Sequence, residues 1–108
     1  MRSTVLTLVL LLIGLSEMAC TPFVDLKPQG QAVRVVSSDE TKRCKKIGHV
    51  TTHTTDEVMG IPRDSESLND ELTRLARNYA GNMGGNAVVA LGAAQQGEQS
   101  FNVYHCGR

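Results

Sequence analysis

Tryptophan is absent from this sequence and aromatic residues make up only 4% of it, so the core is expected to be thin. Excess charge of either sign is also missing, because eleven Lys and Arg balance eleven Asp and Glu. That balance removes the general pull of a basic protein toward nucleic acid, and the solvating tail of an acidic one. No Cys-x-x-Cys, Ser-His-Asp arrangement, paired-carboxylate motif or metalloprotease spacing is visible. With 108 residues the chain supports one domain, which excludes multi-substrate enzymes and dinucleotide folds. The expectation is a protein that is not an enzyme and needs no cofactor.

What is present begins with an address. Met1 and Arg2 give a short basic start, and residues 5–15 (VLTLVLLLIGL) are almost wholly apolar. A helix of that length rises about 16 Å, roughly half the hydrocarbon core of a bilayer. It is too short to span and has the size and flanks of a signal-peptide core, so residues 1–19 are expected to be a signal peptide. Met18-Ala19-Cys20 is similar to the end of a bacterial lipobox, although Glu17 stands where Leu is usual and Met18 where a small residue is usual. Ordinary cleavage after Ser16 is the competing route. Three cysteines, Cys20, Cys44 and Cys106, are an odd count for an exported chain. Assigning Cys20 to a lipid anchor leaves two that can pair in an oxidising compartment. Thr21 follows the cysteine where Asp would be the usual inner-membrane retention signal. The outer membrane, with the domain facing the periplasm, is therefore the expected location, and a soluble periplasmic or secreted protein the alternative.

Residues 20–31 carry Pro22, Pro28 and Gly30 without periodicity and read as a tether. Residues 32–108 form the folded unit. Residues 32–37 (AVRVVS) read as a first strand and residues 44–55 (CKKIGHVTTHTT) as a second. In the second strand Cys44, Ile47 and Val50 are spaced by three, which breaks the two-residue alternation, and a bulge at Gly48 would restore Val50 to the inner face. Residues 56–64 read as a connection. Leu68, Leu72, Leu75, Ala76, Tyr79 and Met83 fall on one helical face, with Ser67 as cap, Asp70 and Glu71 in the first turn, and Gly84-Gly85 as terminator. Residues 86–93 (NAVVALGA) read as a central strand, Gln95 to Glu98 as a turn, and residues 99–106 as the last strand. The order β-β-α-β-β gives an α+β fold: a small antiparallel sheet with one helix on a face. If the second and last strands run antiparallel and adjacent, Cys44 and Cys106 meet in a disulfide. Two separate reduced thiols are the competing arrangement.

Several of these residues resemble a known family. Cys44 with Ile47-Gly48 and Val50, Leu68-Asn69, the run Gly84-Gly85-Asn86-Ala87-Val88-Val89, and Tyr104-His105-Cys106 are similar to the small bacterial lipoproteins catalogued as domain of unknown function 4156. More distantly they resemble the lipoprotein that senses envelope stress for the Rcs phosphorelay, whose folded domain carries four cysteines where this chain has two. The resemblance implies a sheet-plus-helix fold, an internal disulfide, an outer-membrane or periplasmic setting and no catalytic residues.

Two clusters are candidates for binding. His49 and His53 lie four apart on the second strand, about 13 Å, too far to share an ion, so a Cu or Zn site would need one of them with His105. The competing reading is solvated histidines on a threonine-rich face. Lys42, Arg43, Lys45 and Lys46 surround Cys44 and could meet an envelope protein or an anionic lipid, against the plainer reading of a solvated strand entry. The glycines of residues 81–85 follow a helix, whereas phosphate cradles precede one, so they read as a cap and not an anion site.

Overall fold

A computed structural model of the chain describes residues 24–107. The expected signal peptide and Cys20 lie outside the described residues. The chain enters through a single helical turn, α1 (Pro28–Gln31), and a two-residue strand, β1 (Arg34–Val35). A 3-10 turn (Ser38–Thr41) leads to the long strand β2 (Cys44–His53) and a small hairpin of β3 (Glu57–Val58) and β4 (Ile61–Pro62). The helix α2 (Ser65–Asn82) follows, then β5 (Ala87–Ala90) and β6 (Glu98–Cys106).

The main sheet has the order β1-β5-β6-β2, and α2 packs on one face. The β2–β6 and β5–β6 pairs are antiparallel, whereas β1 joins β5 in parallel. The first two strands therefore do not form a hairpin with each other. They occupy opposite edges, because β2 is held beside β6 over its whole length and β1 finds its partner in the central strand, with Arg34 N–H donating to Asn86 O and Val36 N–H to Val88 O. The central position read for residues 86–93 is the one β5 occupies, and Ala87, Val88 and Val89 are all buried.

The register of β2 against β6 slips between Lys46 and Gly48. This is the bulge that the spacing of Cys44, Ile47 and Val50 required, and it lets Ile47 and Val50 pack on a core of Val33, Ala76, Ala80, Val88, Phe101 and Val103. Gly48 serves a second purpose. A side chain there would displace the terminal methyl of Met83, which lies across it.

Helix α2 starts three residues earlier than a cap at Ser67 suggests, because Asp64 is the cap and its carboxylate accepts from Ser67 N–H and hydroxyl. Asp70 and Glu71 accordingly lie in the second turn. Residues 24–31 are folded against α2 instead of forming a free tether. Asn78, buried in the helix, donates to Asp25 O and accepts from Lys27 N–H, and Arg77 Nε donates to Val33 O at 2.7 Å. Gly81 faces the backbone of Gln29, and only a residue without a side chain allows α1 that close. Polar groups thus hold a segment whose sequence shows no apolar period.

Candidate functional site

At one end of the sheet Cys44 and Cys106 stand opposite each other in register, with Cα atoms 4.1 Å apart, and are joined by a disulfide. The turn after α2 is fastened to the same corner. Gly84 takes a left-handed φ of 85°, Asn86 Nδ2 donates to Cys106 O at 2.8 Å, and Cys106 N–H donates back to Asn86 Oδ1 at 2.7 Å. The Gly84-Gly85-Asn86 run is therefore a clamp between helix end and last strand.

The four cations around Cys44 are exposed. Strand alternation divides them: Lys45 lies opposite His105 on the helix side of the sheet, and Lys46 lies opposite Tyr104 on the other side. His105 lies within 3.2 Å of Gly84 O through Nδ1. The result is a basic rim on both sides of an edge strand, not one flat patch.

The histidines are not brought together. His49 is opposite Asn102 and His53 opposite Glu98, on the face away from α2, whereas His105 is three residues beyond Asn102 and so on the helix side. His49 sits in a polar row with Asn102 at 3.5 Å and Thr51 at 3.4 Å, and Thr51 pairs with Ser100 at 2.9 Å. A shared Cu or Zn site of His105 with either of the others would have to reach through the sheet. Among the described residues no group of three or more His, Cys, Asp and Glu side chains could hold a metal ion.

The opposite end holds a hairpin where residues 56–64 suggest a plain connection. The β3–β4 hairpin turns through Met59 and Gly60, both at positive φ (54° and 79°), the geometry of a tight two-residue turn. Its base is tied down by Arg63, whose guanidinium donates to Thr55 O and to both carboxylate oxygens of Glu71, while Thr54 Oγ1 donates to Glu71 Oε2. Arg63 bonding holds the buried Glu71 carboxyl below the usual carboxylate range, against the opposing effect of burial and with help from Thr54. A cleft of about 420 Å3 lies between this hairpin, Leu68 and Asn69 of α2, and the Ala93–Gly97 loop. The signal that could have revealed the hairpin was Met59-Gly60 between Val58 and Ile61. It is weaker than Asn-Gly because Met tolerates positive φ poorly.

With this geometry in hand, a family match spans residues 24–106, to the family described as domain of unknown function (DUF4156). The chain belongs to that family. Comparison with curated proteins and with solved structures gave no match. The family boundary at residue 24 coincides with the first described residue, so the family unit includes α1 and β1 as well as the sheet. No helix among the described residues is long and apolar enough to cross a membrane.

Proposed function

We propose that the chain is a non-enzymatic cell-envelope lipoprotein, anchored through Cys20 in the outer membrane and presenting a binding domain to the periplasm. The observation that carries this reading is the pairing of Cys44 with Cys106. It leaves Cys20 as the odd cysteine, following an apolar run and four residues before the family match begins. A disulfide between two edge-proximal strands also suits an oxidising compartment. A binding rather than catalytic role is supported by the use of the buried polar side chains. Thr52 holds Leu72 O, Glu71 holds Arg63, and Asn78 holds the entering backbone. The basic rim of Lys42, Arg43, Lys45 and Lys46 suits an anionic lipid headgroup or an acidic surface of an envelope protein.

The test is the intact mass of the protein taken from the membranes of its own host, before and after reduction. The expected species starts at Cys20, carries three acyl chains, and gains two hydrogens on reduction. A lipid-free chain starting near Glu17 would overturn the anchor and leave Cys20 as a spare thiol.

A further inference from the structure

A net charge of zero conceals a strongly polar molecule. Strand β2 begins among four cations, Lys42, Arg43, Lys45 and Lys46, which outnumber Asp39 and Glu40 of the preceding turn, and its ten residues carry the chain about 30 Å to the other end. Residues 54–70, which follow, contain Asp56, Glu57, Asp64, Glu66 and Asp70 against Arg63; Arg63 is itself paired with Glu71, and Asp70 with Arg74. One end is basic and the other acidic.

Each end also exposes apolar side chains. At the acidic end the hairpin tip presents Val58, Ile61 and Met59, the last 96% exposed. Met59 occupies a left-handed position that Asn or Gly would fill at lower cost, so a copy standing alone gains nothing from an apolar residue there. The hairpin is pinned at its base by Arg63, so the tip is presented by a fixed support. Near the basic end Met83, 42% exposed, lies over Gly48 of the edge strand β2, and Tyr79, one helical turn earlier and 50% exposed, lines a groove with Val24, Asp25 and Lys27. Lys45 lies on the same face of β2 as Gly48, the helix side of the sheet. The chain carries an apolar knob at its acidic end and an apolar ledge near its basic end, which are complementary in both charge and polarity.

We propose that copies of this chain bind one another by seating the Val58-Met59-Ile61 tip of one against the Tyr79–Met83 ledge of the next, with Lys45 and its neighbours facing the acidic hairpin. The occupant is a second copy because a single sequence supplies both halves of the contact. The surfaces are small, so the association is weak in dilute solution and favoured where copies are concentrated, as on a membrane surface. This contact follows from the layout of the folded domain and does not depend on the lipid anchor.

Sedimentation of the chain carrying Cys20→Ser tests it, since neither acyl groups nor a spare thiol can then join copies. Mass should rise with concentration between about 1 μM and about 500 μM at low ionic strength, and the rise should be suppressed near 0.5 M salt, where the Debye length is only about 4 Å. Met59→Asp retains a residue that tolerates positive φ, and Lys45→Glu with Tyr79→Glu alters the ledge. Each should weaken self-association at least about tenfold, roughly the loss of one well-buried anchor. Mixing the two variants should restore association, because one keeps the ledge and the other the knob. That rescue requires both variants to be folded, so it separates a lost contact from a lost fold. A parent chain that stays monomeric throughout, association indifferent to both variants, or a mixture no heavier than its parts would overturn the proposal.

Discussion

Arg63 closes on Glu71 across the joint where the hairpin becomes the helix, and the same guanidinium holds Thr55 O. Because Arg63 lowers the Glu71 value in the folded state, the pair stabilises the fold above the ordinary carboxylate range. That contribution is lost as pH falls through the lowered value. Melting temperature should therefore drop as pH falls below the ordinary carboxylate range, and Glu71→Gln should show a shallower drop from a lower starting point at neutral pH. Parallel acid profiles for the two proteins would show that the pair contributes nothing.

The disulfide closes a loop with a sequence separation of 62 between its cysteines. On the chain-entropy account such a cross-link stabilises by about 4 kcal/mol. Replacing both cysteines, Cys44→Ser with Cys106→Ser, should lower the unfolding free energy in urea by an amount of that order. Hydrogen exchange should show the Cys44–Lys46 end of β2 losing protection first, because it is the outer end of an edge strand.

Gly81→Ala should destabilise the protein even though Ala is the better helix former by about 1 kcal/mol. The added methyl would meet the Gln29 carbonyl and push α1 from α2. The variant's thermal unfolding should move down, and exchange at residues 27–33 should accelerate. A higher melting temperature would mean that the entering segment contributes little to stability.

Thr52 and Thr51 are neighbours with opposite fates. Thr52 is buried and its hydroxyl lies 3.1 Å from Leu72 O, whereas Thr51 faces away from the helix toward Ser100. Thr52→Val should cost about 1 kcal/mol for the lost buried hydrogen bond. Thr51→Val should stay within about 0.5 kcal/mol, as is usual for a surface change. Urea denaturation of the pair measures both.

Long periodic signals carried most of the fold. The Leu68, Leu72, Ala76 spacing located the helix, the three-residue spacing around Gly48 located the bulge, and the positions of Cys44 and Cys106 at strand ends located the staple. What escaped depends on single polar contacts or on pairings that leave no period. Asn78 draws residues 24–31 onto the helix through backbone groups that any sequence possesses. The parallel seat of β1 rests on two residues, too few to show a pattern. Glu71 looked like a dipole-compensating residue because its partner, Arg63, lies before the helix in what read as a loop. The candidate site was legible at the basic end, where like charges cluster in sequence, and illegible at the acidic end, where the apolar tip is built by a turn.

The covalent link between Cys44 and Cys106 also decides how the molecule answers a mechanical pull. Force applied between the two chain ends would pass from Cys44 directly to Cys106, bypassing α2, β5, the hairpin and most of β2 and β6. Among the described residues, only 24–43 and Gly107 lie in series with the load. Peeling α1 and β1 away would lengthen the described chain by at most roughly 65 Å, after which it becomes inextensible until the bond is reduced. The domain is then a spring with a hard stop, and the redox state of its surroundings sets how far it can stretch.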